Sequence, residues 1–136
     1  MDLDVEAIRE KDVSVIALRG EIDVYTAPQL RQTIVDLVDR GATKLVVDMA
    51  QVDFLDSTGL GVLVGGLKRL REHDGSLTPV ISTTRILRIL EVTGLTTVFL
   101  PQPSVPAAII ADPHWRQTVE SEAGSAGEWC RQHGLS

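Results

Sequence analysis

The chain has 136 residues, the size of one domain, and at that length roughly two-thirds of the unfolded chain's surface is buried on folding. Apolar residues make up 43% and charged residues 24% of the sequence, a globular mixture that excludes an intrinsically disordered chain. Thirteen basic against nineteen acidic residues leave a net charge of −6, a sign that repels phosphate backbones and anionic lipid and so excludes nucleic acid and membrane surfaces as default partners.

Residues 3–10 place Leu3, Val5 and Ala7 in weak alternation, as an edge strand does. Residues 13–19 put Val13, Val15 and Ala17 on one face and Ile16 and Leu18 on the other. Apolar residues on both faces predict a strand covered on both sides, and Lys11-Asp12 between the two segments reads as a hairpin turn. The first helix is predicted from Thr26 as N-cap, Pro28 in the first turn and Gln29 at the capping-box position. Leu30, Ile34, Leu37 and Val38 form its apolar face and Gly41 its stop.

Lys44 to Met49 is a continuous apolar run of the kind buried in a parallel sheet. A second helix follows, with Leu60, Leu63, Val64, Leu67 and Leu70 at helical spacing. Gly61, Gly65 and Gly66 lie inside it. Each costs about 1 kcal/mol relative to Ala, which points to a close approach by another backbone or by a partner. Leu77 to Ile81 reads as a strand in which Pro79 suits an edge. Thr84 to Thr93 reads as a helix stopped by Gly94, Thr97 to Leu100 as a last strand, and Ser104 to Ala111 as a closing helix. The order β-β-α-β-α-β-α-β-α predicts an α/β fold, a mostly parallel sheet with an antiparallel hairpin at one edge and helices covering it.

The composition changes after residue 112, so the expected division is a domain over 1–112 and a C-terminal tail over 113–136. The tail holds both tryptophans, two of the three histidines and Cys130, and its Ser121–Gly127 stretch has the makeup of a linker. A flexible or loosely docked segment is expected there. The single cysteine excludes an internal disulfide framework and a Cys-based zinc site. The acidic start Met1-Asp2-Leu3-Asp4 does not resemble a signal peptide, and no run approaches the ~20 apolar residues of a membrane span. A soluble, cytoplasmic protein is expected.

The informative segment is Asp53-Phe54-Leu55-Asp56-Ser57-Thr58-Gly59-Leu60-Gly61. It joins a buried strand to a helix at the carboxyl end of a parallel strand, where α/β sheets place their sites. Ser57 falls at or next to the helix N-cap, among unpaired backbone N–H groups. Asp56, Ser57 and Thr58 as plain capping residues is the default alternative; one cap needs only one of them.

These residues carry a resemblance. Gly20-Glu21-Ile22-Asp23, Ala27-Pro28-Gln29-Leu30, Leu45-Val46-Val47-Asp48-Met49, the 52–61 segment and Val92-Thr93-Gly94-Leu95 occur in the order found in the STAS-domain family of anti-sigma-factor antagonists. Over residues 3–112 the chain resembles that family. The resemblance implies the STAS fold and a switch without catalysis or cofactor. An anti-sigma factor, itself a serine kinase of the histidine-kinase-like ATPase type, would bind the unphosphorylated form and release a sigma factor. Phosphorylation would end the contact, and a PP2C-type phosphatase would restore it. By position Ser57 would be the phosphoacceptor, and Asp23, Asp56, Thr58, Gly59, Leu60 and Gly61 would share the partner surface, the protein being a monomer or weak dimer. Ser82-Thr83-Thr84-Arg85 departs from the Gly/Ser-Pro turn of many members.

Two other classes stay open from the residues alone: a STAS interaction module that is never phosphorylated, and a small hydrolase or nucleotide-binding enzyme. Ser57 with His73 and an aspartate could form a triad, but Asp-Ser-Thr-Gly is not a nucleophile elbow. Gly59-Leu60-Gly61 lacks the lysine of a phosphate-binding loop. His73, His114 and His133 have no metal-ligand spacing, so no metal is expected. Lys68, Arg69, Arg71, Arg85 and Arg88 read as solvated helix faces.

Overall fold

The computed structural model describes residues 2–136. β1 (Leu3–Glu10) and β2 (Val13–Ile22) form the expected antiparallel hairpin, with Lys11 at φ 57° in its turn. β3 (Lys44–Leu55) and β4 (Ser76–Val80) add in parallel, giving one sheet in the order β1-β2-β3-β4. The long helices α1 (Ala27–Asp39) and α2 (Ser57–Arg71) supply the crossovers, followed by α3 (Thr84–Val92), α4 (Thr96–Phe99), α5 (Val105–Ile110), α6 (Pro113–Ala123) and α7 (Ala126–Gln132).

The two-sided apolar pattern of β2 is used on both sides. Ile16 and Leu18, with Leu45, Val47 and Met49 of β3, face a core closed by α1, α2, α3 and Phe99 of α4. Val13 and Val15, with Val46 and Val80, face a second core closed by α5, α6 and α7. Pro79 sits where an edge position was expected: β4 ends the sheet, and the Pro79 carbonyl turns away from β3 to accept from Gln102 N at 3.0 Å. The ring nitrogen, which has no proton to give, faces that same outer side.

Three local expectations are corrected. Thr97 to Leu100 is not a strand. Gly94 (φ 73°) ends α3, α4 turns Phe99 into the first core, and only Gln102 reaches β4, as a single bridge to Val80. The Thr26–Gln29 capping box does not form. The Thr26 hydroxyl is turned back, donating to the Glu21 carbonyl at 2.8 Å and accepting from Asp23 N at 2.9 Å. Finally, residues 113–136 are not a flexible or loosely docked tail. Trp115 and Trp129 are buried edge-to-face, 5.6 Å between ring centroids, and Trp129 Nε1 donates to Glu10 Oε1 at 3.1 Å. Burying two indoles outweighs a linker-like composition.

Candidate functional site at the start of the second helix

Ile22 and Leu55 are paired in register at the ends of β2 and β3. The Asp56 amide donates to the Ile22 carbonyl at 3.2 Å, so the loop after β2 and the first turn of α2 lie side by side. That places the Asp23 and Ser57 segments at one end of the sheet, the carboxyl end of its parallel strands.

Asp56 is the N-cap of α2. Its backbone is extended (φ −102°, ψ −176°) and its Oδ1 accepts from Gly59 N at 3.0 Å. One residue thus does the capping. The side chains of Ser57 and Thr58 are exposed, and neither hydroxyl makes a hydrogen bond among the described residues. Gly59 N is taken by the cap and Leu60 N by the Asp56 carbonyl at 3.0 Å, and the exposed Ser57 and Thr58 side chains stand at the positive end of the α2 dipole. Gly59 is the floor. A Cβ there would stand 2.6 Å from Ile22 Cγ2 and from Leu55 Cδ1, so only glycine lets the helix start this close to the strand ends.

Asp23 is buried in the adjoining turn. Its Oδ1 accepts from the amides of Tyr25 and Thr26, each at 2.9 Å. Its Oδ2 is buried with no hydrogen-bond partner among the described residues. Burial pushes the carboxyl up, but the Thr26 and Tyr25 amides and the Thr26 hydroxyl outweigh it and hold Asp23 below the usual carboxylate range. The turn so pinned throws Val24 and Tyr25 outward; Tyr25 is 86% exposed. Asp53, the first residue of the informative segment, lies on β3 with an exposed side chain whose carboxylate makes no hydrogen bond to the loop among the described residues. Leu60 is buried, holding the first turn to the core, while Gly61 is exposed.

The helix-interior glycines divide into two kinds. A Cβ at Gly66 would stand 3.2 Å from the Ile34 and Leu77 side chains, a tight fit in the packed interior, whereas at Gly61 and Gly65 it would have no atom within 4 Å. They face a groove between α1 and α2, flanked by Arg31 and Arg69 and continuous with Thr58. The sequence offered one signal of this groove, glycines inside a helix, but nothing that separated the packed one from the open ones.

The Ser57–His73 triad fails on geometry. Ser57 opens α2 and His73 lies beyond its end, so the fifteen residues of the helix separate them by roughly 22 Å at 1.5 Å per residue; no triad forms. Among the described residues no three His, Cys, Asp or Glu side chains are grouped so as to hold a metal ion, and no helix is long and apolar enough to cross a membrane. His114 Nε2 instead reaches both Asp12 carboxylate oxygens, at 2.9 and 2.8 Å. His133 Nδ1 contacts the Trp129 carbonyl at 2.8 Å. Cys130 is buried, and burial together with the Asp48 charge pushes its thiol up to about 11, an unreactive state.

Comparison with known proteins agrees with this arrangement. The model of the Mlab, STAS domain family matches residues 6–102. An anti-sigma-B factor antagonist of Staphylococcus epidermidis is 39% identical over 95 residues, 70% of this chain and 88% of that one. The Bacillus subtilis protein of the same name is 38% identical over 95 residues, 70% of this chain and 86% of that one. Among solved structures, an anti-sigma factor antagonist from Mycobacterium paratuberculosis superposes with a TM-score of 0.75 at 31% identity, covering 81% of this chain and 93% of that one.

Proposed function

The chain belongs to the STAS domain family, among anti-sigma-factor antagonists that act by binding and not by catalysis, and from that premise we propose a switch set by phosphorylation of Ser57. The unphosphorylated protein binds an anti-sigma factor and releases the sigma factor that it holds. The anti-sigma factor is also the serine kinase, of the histidine-kinase-like ATPase type, and a PP2C-type phosphatase reverses its work in the cytoplasm. The protein enters the complex as a monomer or weak dimer. The observation that carries this reading is the state of the Ser57 hydroxyl: exposed, without a hydrogen bond among the described residues, and relieved of capping by Asp56.

The residues divide the work by position. Ser57 is the phosphoacceptor, and Thr58, Gly59, Leu60 and Gly61 form the surface beside it. Asp56 and Asp23 give the loop its charge and its rigidity. A phosphate on Ser57 adds about −1.5 to −2 charges and three acceptor oxygens. The α2 N-terminus favours that charge by about 0.3–1 kcal/mol, while the Asp56 carboxylate, one residue away, opposes it. The two local effects offset, so the fold changes little. At an interface the same charge must be desolvated beside a surface fitted to a hydroxyl, and repulsion there breaks the complex.

Binding of Ser57→Ala and Ser57→Glu to the purified cognate anti-sigma factor tests the reading. Ser57→Ala binds as tightly as the unphosphorylated wild type and resists release by ATP, while Ser57→Glu loses at least tenfold in affinity. Equal binding by all three, with and without ATP, favours a STAS module that is not phosphorylated.

A further inference from the structure

We propose that the groove between α1 and α2 holds an acidic segment of the anti-sigma factor, whose carboxylates pair with Arg31 and Arg69 while an apolar side chain enters between them. This rests on the partner proposed above and extends its contact beyond Ser57.

The groove consists of two adjoining hollows of about 260 and 520 Å³. Arg31 of α1 and Arg69 of α2 line both, and Val35 and Val62 form apolar wall in each. Neither arginine makes an ion pair or a side-chain hydrogen bond among the described residues. Lys11, Lys44, Arg116 and Arg131 pair with carboxylates, whereas Arg19, Lys68, Arg71 and Arg88, like the two groove arginines, form no ion pair among the described residues. What sets Arg31 and Arg69 apart is their placement: in a chain of net charge −6, two unpaired guanidinium groups flank one groove walled by Val35 and Val62. Each offers a planar fork that matches a carboxylate better than an ammonium does.

The groove is continuous with the Ser57 surface. Thr58 lines both hollows, and Thr58, Gly61, Val62, Gly65 and Arg69 follow one another along a single face of α2. From Thr58 to Arg69 that face is about 16 Å long at 1.5 Å per residue. A partner that touches Ser57 is therefore carried onto the groove within one helical turn. Gly61 and Gly65 keep it open: they forgo helix propensity at positions where a Cβ would meet nothing of this protein. The charge pattern fits one occupant. The Ser57 end, with Asp23 and Asp56, selects against carboxylates, and the arginine end selects for them, so the partner is held in one direction along α2.

The test uses the full chain and the purified anti-sigma factor, with binding followed by titration calorimetry. Four variants are compared: Arg31→Glu, Arg69→Glu, Gly65→Leu and Ser57→Glu. The inference expects Arg31→Glu, Arg69→Glu and Gly65→Leu each to weaken binding at least tenfold at unchanged or raised thermal midpoint. It also expects raising the salt to weaken wild-type binding more than that of Arg69→Glu. Wild-type affinity in all three groove variants, with binding lost in Ser57→Glu, overturns the groove and leaves the Ser57 switch standing. Tighter binding by either charge reversal overturns it too, because the occupant is then cationic. No binding by the wild type removes the partner itself, and the groove inference with it.

Discussion

Asp12 shows how a single turn residue couples the two ends of the chain. Burial pushes its carboxyl up, but hydrogen bonds from His114 and Thr43, and the charge of His114, outweigh burial and hold it below the usual carboxylate range. The sign follows: a carboxyl depressed in the folded state stabilises the protein at pH values above its unfolded value of about 4, and that stability is lost as the pH falls through the folded value. The side chains are 47% and 39% exposed, which limits the pair to about 0.2–1 kcal/mol. Urea midpoints at pH 7 and at about pH 3 are expected to differ more for the wild type than for Asp12→Asn; equal differences contradict the assignment. Residue-level reading of the sequence located the turn at Lys11-Asp12. It did not assign the caps, because a hydroxyl in a capping position has several nearby acceptors. Thr26 chose the Glu21 carbonyl over the helix, and Asp56, not Ser57, took the cap of α2.

At the scale of elements, α1, α2 and α3 were legible from their period, and β3 from its unbroken apolar run, though it continues to Leu55. α4 was not. Thr96-Thr97-Val98-Phe99 has the composition of a strand, yet burying Phe99 in the first core requires a helical turn there. Local preference loses to one aromatic side chain. The glycines of α2 give the sharpest element-level prediction, because one helix contains opposite environments. Gly59→Ala forces a Cβ into Ile22 and Leu55 and is expected to lower stability by about 1–3 kcal/mol, overpacking exceeding the gain in helix propensity. Gly61→Ala and Gly65→Ala enter open space and are expected to raise stability by about 0.5–1 kcal/mol each. Urea denaturation of the three variants checks both signs. Stabilisation by Gly59→Ala contradicts the close approach that brings Ser57 to the strand ends.

At the scale of the whole molecule, the sheet is the shared wall of two cores. The first was evident in the sequence. The second was half evident: Val13 and Val15 demanded cover on the far face and Ser104 to Ala111 was read as a helix, but the tail that completes the cover was expected to be flexible or loosely docked. Its small residues punctuate and do not loosen: Gly124 (φ 91°) ends α6, and Ser125 caps α7 by accepting from Glu128 N at 3.1 Å. Trp129→Ala is therefore expected to cost about 3–5 kcal/mol, read from urea unfolding of the full chain; a loss below 1 kcal/mol contradicts a packed second core. The proposed phosphoacceptor stands apart from this packing: Ser57 is exposed and belongs to neither core, so a change at its hydroxyl is expected to leave the fold intact. The most direct measurement is the affinity of one preparation for the anti-sigma factor before and after kinase treatment, with the added mass mapped by peptide. The account predicts a single phosphate, on Ser57, and at least a tenfold loss of affinity at unchanged thermal midpoint. A phosphate mapping elsewhere, or full binding by the Ser57-phosphorylated protein, contradicts it.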